Sequence, residues 1–357
     1  MRKLLKITAV VVLLAVVIGA AENNLFGYVS RTAQLHMQSV QDPYDAGFSP
    51  AAVLLAGQQP ATDKMTILAV ADIADCEAED YFSKNFSTLQ SWAGLTPKID
   101  PATVGAVKAR ALVEYWPNAP ILAVGDLVYR RGTPNEFADC FEPIWGGLRN
   151  RFLPAPGNHE YFTPGAFAYY DYWANQAGPD RRGYYFVRRG NWLLLSLNSE
   201  IDSGPASAQA LWLSDILAAA SETCILAFYH RPAYSLQSRD KNENAEFLFK
   251  QLQSAGATLV LNGHNHFYER TFPLNGLGQV QEDTGTVSFV VGTGGRSASR
   301  EREYRDTTAN AVFGQLGVLR LELGDNAFSW WFHGAGTKEV LDQGSRTCNA
   351  PRTIASL

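Results

Sequence analysis

A net basic charge and closely spaced cysteines are both missing from this chain. A formal net charge of −5 over 357 residues gives no basic footprint for nucleic acid, so no nucleic-acid partner is expected. Only four cysteines are present, and none forms a CxxC pair, which argues against a zinc knuckle or a thiol redox motif. Internal repeats and low-complexity tracts are also absent. Hydrophobic residues make up 46% and charged residues 18% of the chain, a balance typical of a globular protein with a large core.

The longest apolar run lies at the beginning of the chain and favours export. Three basic residues precede an apolar segment at 7–18, and Gly19 and Ala21 fit the small-x-small pattern of a cleavage site. The segment is short for a spanning helix, which needs about 20 residues, and no cysteine near it could carry a lipid. We therefore expect residues 1–21 to be a signal peptide, with an uncleaved anchor as the alternative. The expected location is periplasmic or extracellular, free or tethered to the membrane by that anchor.

Export also makes disulfides plausible for Cys76, Cys140, Cys224 and Cys348. Four cysteines allow three connectivities, and sequence position alone does not decide among them. Cys76 and Cys140 each closely follow a predicted strand, so the favoured pairing is 76–140 with 224–348.

The chain divides into a lead-in segment, a long organised region and a tail. Residues 22–62 contain scattered Pro and Gly without a sustained period, and residues 346–357 form the predicted tail. Between them, residues 63–345 contain short apolar runs that each end in polar residues. These runs are MTILAVAD, APILAVGD, RFLPAPGNH, WLLLSLNSE, TCILAFYH and ATLVLNGHNH. Continuous apolar runs of this length predict strands that are buried on both faces.

Helical patterns alternate with these strands and predict an α/β architecture. One helix is expected to begin at Asp100 and Pro101 and to bury the face Val104, Val107, Ala111 and Tyr115. A second is capped by Ser207 and carries Leu211, Trp212 and Ile216. A third has the stripe Ala245, Leu248, Phe249 and Leu252 and ends before Gly256.

The predicted strands end in residues that suit metal binding. They are Asp72, Asp126, Asn158, His159, His230, His264 and His266. In α/β sheets, ligands bind beyond the carboxyl ends of the strands. His264 and His266 are two residues apart, so an extended backbone points both to the same side. Carboxylate, imidazole and amide groups without a thiolate suit borderline-to-hard divalent or trivalent ions. The other two histidines, His36 and His333, lack such neighbours and are expected to be structural or exposed.

In chain order, these segments resemble the five sequence blocks of the calcineurin-like metallophosphoesterases. The matching segments are AD ending at Asp72, GDLVY at 125–129, GNHE at 157–160, FYH ending at His230 and GHNH at 263–266. The tyrosine of GDLVY makes the chain similar to the purple acid phosphatases and their bacterial relatives. Two positions depart from the pattern. Ala71 replaces the usual glycine, and Ala74 occupies the place where many non-purple members carry a histidine ligand. Tyr129 is the family's alternative ligand for that same metal.

The resemblance implies two metal ions and a four-layer α/β/β/α sandwich of two mixed sheets. Asp72, Asp126, Tyr129 and His266 would bind the first ion; Asp126, Asn158, His230 and His264 would bind the second, with Asp126 as the bridge. A phenol with an ordinary pKa of about 10 becomes a good ligand when a trivalent ion stabilises the phenolate. Tyr129 therefore favours Fe(III) at the first site, with Zn(II), Fe(II) or Mn(II) at the second. A packed core tyrosine is the alternative for Tyr129.

The resemblance further implies an acid-phosphatase-like phosphoric ester hydrolase that uses attack by a metal-bound hydroxide. His159 is the family's candidate for steadying the phosphoryl oxygens or protonating the leaving group. Glu160 either orients His159 or caps a loop. Phosphomonoesters are the expected small-molecule substrates, with phosphodiesters or nucleotides as alternatives and an exported metal-binding scaffold as the non-enzyme alternative. Arg231, Arg270 and Arg296 could contact phosphate, although structural pairing is favoured for each.

Overall fold

Two mixed β-sheets form the centre of the protein, seen here in a computed structural model that describes residues 64–75, 105–237, 242–296 and 299–350. The described residues form β1 (Met65–Val70), β2 (Ile121–Val124), β3 (Phe152–Ala155), β4 (Tyr185–Arg189), β5 (Trp192–Ser196), β6 (Cys224–Phe228), β7 (Leu259–Asn262), β8 (Tyr268–Thr271), β9 (Val287–Val291), β10 (Thr308–Val312), β11 (Gly317–Leu323), β12 (Ala327–Gly334) and β13 (Val340–Thr347). All six predicted strands are present, as β1, β2, β3, β5, β6 and β7.

The order of the strands places the parallel ones side by side. The first sheet has the order β13-β12-β11-β1-β2-β3, and the second has the order β10-β8-β9-β7-β6-β5-β4. Strands β1, β2 and β3 are parallel in the first sheet. Strands β5, β6, β7 and β9 are parallel in the second. The remaining neighbours pair antiparallel. The carboxyl ends of the parallel strands therefore lie at one edge of each sheet.

Short helices connect the strands and cover the outer faces of the sheets. They are α1 (Gly105–Val113), α2 (Pro134–Glu136), α3 (Glu142–Trp145), α4 (Asn158–Tyr161), α5 (Phe167–Trp173), α6 (Ala208–Ala218) and α7 (Glu243–Ser254). Ser207 caps α6 as expected, because its hydroxyl accepts the N–H of Ala210 at 3.1 Å. Asn242 caps α7 in the same way, accepting the N–H of Ala245 at 2.8 Å.

Three apolar clusters confirm the four-layer α/β/β/α sandwich. One cluster fills the space between the sheets and includes Ile67 and Leu122 of the first sheet with Leu226 and Phe289 of the second. A second lies between the first sheet and helices that include α1, and a third lies between the second sheet and α6 and α7. Both faces of the central strands are thus covered, which explains why their sequences are continuously apolar and not alternating.

The buried face of the first predicted helix differs from the expected one. In α1 the buried residues are Ala106, Ala109, Leu112 and Val113, whereas the predicted face member Tyr115 is 55% exposed. The reason is a close approach to the turn at Gly295, where an added Cβ would lie 2.8 Å from the Cα of Ala106. This approach brings the backbone at Gly295 against the start of α1, and the helix ends at Val113, so Tyr115 lies beyond its buried face.

The other two predicted helix faces have different outcomes, because only one of the three predicted face members of α6 is buried whereas the whole predicted stripe of α7 is buried. In α6, Ile216 is buried, but the predicted face member Leu211 is 51% exposed. In α7, all four members of the predicted stripe are buried, and the helix ends at Ser254, just before Gly256.

A disulfide joins Cys224, at the start of β6, to Cys348, just after β13. This pairing was the one expected, and it attaches the end of the first sheet's outermost strand to the second sheet. Cys140 is also disulfide-bonded. Its expected partner, Cys76, lies outside the described residues, so that pairing stays a prediction.

A buried carboxylate, Asp342 of β13, links the two sheets a second time. Its Oδ2 accepts hydrogen bonds from the Tyr268 hydroxyl at 2.6 Å, from Nε of Arg270 at 2.8 Å and from Nε1 of Trp330 at 3.0 Å. Its Oδ1 accepts from Nη2 of Arg270 at 3.2 Å and from Nδ2 of Asn310 at 2.8 Å. Because Tyr268, Arg270 and Asn310 belong to the second sheet, one side chain of the first sheet holds strands β8 and β10.

Several sequence expectations fall outside the described residues. These are the signal peptide at 1–21, the lead-in segment at 22–62 and the helix start at Asp100 and Pro101. At the other end, β13 continues to Thr347, two residues into the predicted tail. Within the part of the chain that the structure describes, no helix has the length and apolar character needed to cross a bilayer.

Candidate metal centre

The predicted ligand residues converge from both sheets. Asp72 follows β1, Asp126 and Tyr129 follow β2, and Asn158 follows β3 of the first sheet. His230 follows β6, and His264 and His266 follow β7 of the second sheet. These loops leave the carboxyl ends of parallel strands, where α/β proteins bind ligands. Burial is nearly complete for the carboxylates, at 0% exposure for Asp72 and 1% for Asp126.

One group of donor atoms surrounds the hydroxyl of Tyr129. That hydroxyl donates to Oδ1 of Asp72 at 2.6 Å and lies 3.2 Å from Oδ2 of Asp126 and 3.4 Å from Nε2 of His266. Nε2 of His266 is itself 3.3 Å from Oδ1 of Asp72. These four side chains are the set expected at the first metal, and the structure brings all four together.

A second group of donor atoms surrounds Oδ1 of Asn158. This oxygen lies 3.2 Å from Nε2 of His230 and 2.9 Å from Nδ1 of His264. Ligand atoms of Asp126, His230 and His264 all lie within 4.8 Å of one another, close enough for one ion to bind all three. This group contains the four side chains expected at the second metal.

Asp126 is the residue that the two groups share. Its Oδ2 lies 3.2 Å from the Tyr129 hydroxyl and 3.2 Å from Nε2 of His230. Its Oδ1 accepts the backbone N–H of His159 at 2.9 Å, which fixes the orientation of the carboxylate. A single carboxylate in this position can serve two ions at once.

Three of the ligand residues have left-handed backbone conformations. The φ angles are 57° at Asp72, 51° at Asp126 and 69° at His264. Non-glycine residues rarely adopt this region, and such conformations persist where the surroundings impose them. One constraint is Gly157, where any Cβ would collide with Asp126. Local strain at ligand positions is typical of a functional site.

The carboxylates and histidines of the site form charge pairs. Burial alone would raise the pKa values of Asp72 and Asp126. His266 lies beside Asp72 and His230 beside Asp126, and these histidines outweigh burial, so both pKa values lie below the usual range. Burial likewise opposes the charge of His230, yet Asp126 raises the pKa of His230 to about 10. The same balance, set by Asp72, raises the pKa of His266. The two buried carboxylates therefore favour positive charge beside them. Protons on His230 and His266 supply that charge unless a metal cation does.

Tyr129 and His264 respond differently to the same surroundings. Burial and the charges of Asp126 and Asp72 raise the pKa of Tyr129, so the phenol keeps its proton beside those carboxylates. Burial, with His230 and Arg231 nearby, lowers the pKa of His264 to about 3, which leaves a neutral imidazole. A neutral imidazole is the form that binds metal. The two donor groups offer carboxylate, amide and phenol oxygens and imidazole nitrogens, but no sulfur. Such a set fits the pair of borderline-to-hard ions that the resemblance implies.

His159 lies beside the ligands but is bound to the backbone in a way that fixes its tautomer. Its Nδ1 is 2.5 Å from the carbonyl oxygen of Arg130, which can only accept a hydrogen bond. Nδ1 therefore carries a proton, and Nε2 is the nitrogen that faces the cleft, 3.8 Å from Oδ2 of Asp126. The side chain is 23% exposed, so a substrate can reach it.

Glu160 caps loops and does not contact the ring of His159. Its Oε2 accepts the N–H groups of Asp126 at 3.0 Å and Gly157 at 2.7 Å, and its Oε1 accepts those of Leu127 at 2.8 Å and Val128 at 3.3 Å. This decides between the two roles that the sequence left open. One buried side chain holds the loops that carry Asp126 and Asn158 at a fixed separation.

The three arginines that could contact phosphate all have structural partners. Arg270 pairs with Asp342 between the sheets. Arg231 pairs with Glu200 at 3.0 Å, and its Nη1 lies 3.3 Å from Nε2 of His264. Arg296 pairs with Asp75, and its guanidinium lies 5.0 Å from the centre of the Tyr129 ring. Arg231 nevertheless lies next to a predicted ligand, as its position in the sequence suggested, and Arg296 lies next to another, which the sequence did not indicate.

Sequence reasoning missed one residue at the rim of the site. Phe162, directly after α4, is 53% exposed, and its ring centroid lies 4.8 Å from that of His159. Nothing in the pattern around GNHE distinguishes an exposed phenylalanine from a core one. Its place becomes visible only when the ring of His159 is located.

Comparisons with known proteins agree with this arrangement. The model of the calcineurin-like phosphoesterase family matches residues 65–268. Purple acid phosphatase 18 of Arabidopsis thaliana is 25% identical in an alignment of 230 positions that covers 59% of this chain and 52% of that protein. The chain thus spans about half the length of the curated relatives it matches.

Two solved structures share the fold. Purple acid phosphatase PPD1 from yellow lupin seeds superposes with a TM-score of 0.65 at 15% identity, covering 81% of this chain and 54% of that one. GAP50, described as the anchor in the inner membrane complex of Plasmodium, superposes with a TM-score of 0.56 at 13% identity, covering 82% of this chain and 91% of that one.

Proposed function

Because the chain belongs to the calcineurin-like phosphoesterase family, we propose that it is an exported hydrolase of phosphomonoesters that depends on two metal ions. The observation that carries the proposal is the position of Oδ2 of Asp126, 3.2 Å from both the Tyr129 hydroxyl and Nε2 of His230. That contact joins two complete donor groups through one buried carboxylate.

Each donor group would hold one ion. Asp72, Asp126, Tyr129 and His266 would hold Fe(III), because a phenolate needs a trivalent neighbour to lose its proton among carboxylates. Asp126, Asn158, His230 and His264 would hold Zn(II), Fe(II) or Mn(II). When bound, such a pair of ions supplies a nucleophile from water and neutralises the charge that develops on the phosphoryl group.

His159 would handle the proton on the side of the leaving group. Because its Nδ1 proton is committed to the Arg130 carbonyl, only Nε2 can exchange a proton with the cleft. A protonated Nε2 can donate a hydrogen bond to a phosphoryl oxygen or pass its proton to the departing ester oxygen. Its partial exposure lets the leaving group depart directly into solvent.

Support for monoesters and for iron comes from similarity to purple acid phosphatases and from Tyr129. Phosphodiesters and nucleotides are alternatives that the same donor groups would serve. The non-enzyme alternative, an exported scaffold, has one specific argument: the fold also occurs in a protein described as an anchor. An intact His159 beside both donor groups favours catalysis over that alternative.

The experiment is a substrate panel combined with metal analysis. The purified protein should contain two metal ions per chain and hydrolyse 4-nitrophenyl phosphate faster than bis(4-nitrophenyl) phosphate or a nucleotide. His159→Ala should lower kcat about 10²–10⁴-fold with the metal retained, the range typical of a general acid. His333→Ala, a histidine remote from the donor groups, is the matched control. Two bound ions without turnover on any ester would favour the scaffold.

A further inference from the structure

Three aromatic rings form a row from the donor groups to the surface. The ring centroids of Tyr129 and His159 are 4.3 Å apart, and those of His159 and Phe162 are 4.8 Å apart. Exposure rises along the row, from 1% for Tyr129 through 23% for the His159 side chain to 53% for Phe162. The row begins at Tyr129, an expected metal ligand, and passes His159, the side chain that would meet the leaving group. Phe162, at the exposed end of the row, would therefore lie beside the leaving group.

The exposed ring of Phe162 stands on a firmly held backbone. Its N–H donates to the carbonyl oxygen of Asn158 at 3.1 Å. On one side, Glu160 is bound to four backbone N–H groups of the ligand loops. On the other side, Thr163 is 3% exposed and donates its hydroxyl to the carbonyl of Arg131 at 2.6 Å. A backbone held in this way loses little further conformational freedom on binding, which favours the use of the ring it carries as a contact surface.

We propose that Phe162 determines specificity by packing against an aromatic ring attached to the ester oxygen, so that aryl phosphomonoesters are the preferred substrates. The inference rests on the proposed function, because it assigns the leaving-group side of the same site. A ring bonded directly to the ester oxygen would emerge beside His159 and meet Phe162 next. A serine-type leaving group offers no ring, and a nucleotide holds its base a full ribose farther away.

The test compares two phosphorylated amino acids that differ in that ring. The ratio of kcat/KM for O-phosphotyrosine to that for O-phosphoserine should fall about two- to tenfold in Phe162→Ala, the range expected for loss of one aromatic pair. Phe162→Leu should lower the ratio as well, since it keeps apolar bulk beside His159 but has no ring. Phe247→Ala is the matched control, because Phe247 is 40% exposed on α7; its ratio should equal that of the wild type.

A binding measurement separates contact with the leaving group from positioning of His159. Phenylphosphonate and methylphosphonate carry no ester bond, so their inhibition constants report contact alone. Phe162→Ala should weaken the phenyl compound relative to the methyl compound. Equal losses for both phosphonates and both esters would mean that Phe162 only positions His159, and the inference would be overturned. A wild-type protein with two metals that hydrolyses neither ester would instead refute the proposed function.

Discussion

Replacing Asp342 by asparagine tests how strongly one carboxylate holds the two sheets together. An amide oxygen can replace only one carboxylate oxygen. If the amide oxygen takes the place of Oδ2, the amide nitrogen takes the place of Oδ1. That nitrogen cannot accept the hydrogen bonds that Nη2 of Arg270 and Nδ2 of Asn310 donate to Oδ1 in the wild type. Both lost bonds have the ionised carboxylate as their acceptor, so each is worth about 1.5–3 kcal/mol. The expected loss is roughly 3–6 kcal/mol, or about 6–12 °C in melting temperature for a domain of this size.

The pH dependence gives this prediction a second, independent check. Burial would raise the pKa of Asp342, but Arg270 and Tyr268 outweigh it and lower the pKa. A carboxyl whose pKa falls on folding stabilises the protein fully above its usual pKa of about 3.8, and the effect is lost as the pH drops through the folded-state value. Thermal melts of Asp342→Asn and the wild type should therefore differ most near pH 7 and converge in strong acid.

A matched control separates this effect from the removal of any carboxylate. Glu322→Gln makes the same chemical change on β11, where Glu322 has a partly exposed partner, Arg320. Such a pair is worth at most about 1 kcal/mol. Equal melting temperatures for wild type and Asp342→Asn at pH 7, or a gap that does not narrow in acid, would refute the assignment of Asp342 as a clamp between the sheets.

Three further predictions concern the metals and the cysteines. Asp126→Asn should lose metal and several orders of magnitude in turnover, because both donor groups share that charge; an asparagine variant that keeps two ions and normal turnover would contradict the dinuclear arrangement. Ferric protein should show a tyrosinate charge-transfer band in the visible spectrum that Tyr129→Phe abolishes, His266→Ala bleaches through metal loss, and His264→Ala largely spares. A colourless ferric protein that is active with zinc or manganese would exclude iron at the first site. Protein from an oxidising compartment should titrate fewer than four thiols before reduction, and a count of four would argue against both disulfides.

The strands and the expected ligands could be read from the sequence because both follow from local pattern. An apolar run such as ILAV, followed by a polar residue, predicts a buried strand and the place where it ends. Parallel strands bring those ends together within each sheet, and the packing of the two sheets then makes Asp126 and His230 neighbours although they are far apart in the chain. The resemblance to a known family supplied what the pattern could not, namely the role of Tyr129.

The features that sequence reasoning missed depend on packing between distant segments. Apolar residues occur on several sides of α1, and the side that contains Ala106 is the one that lies close to Gly295. The partners of Asp342 lie on three different strands, β8, β10 and β12, so no local pattern indicates them. Exposure of Phe162 is likewise a property of the assembled surface. Each of these depends on which element packs against which, and periodicity carries no information about that.

The division of the expected ligands between two sheets also constrains the order of folding. Asp72, Asp126, Tyr129 and Asn158 come from the first sheet, while the expected histidine ligands come from the second. The backbone N–H of His264 bonds to Oδ2 of Asp72 across 192 residues of chain. Contacts this distant in sequence form late, after loop closure has been achieved by other means. Metal ions bound at the two donor groups would therefore tie the two sheets together in the finished domain and slow its unfolding.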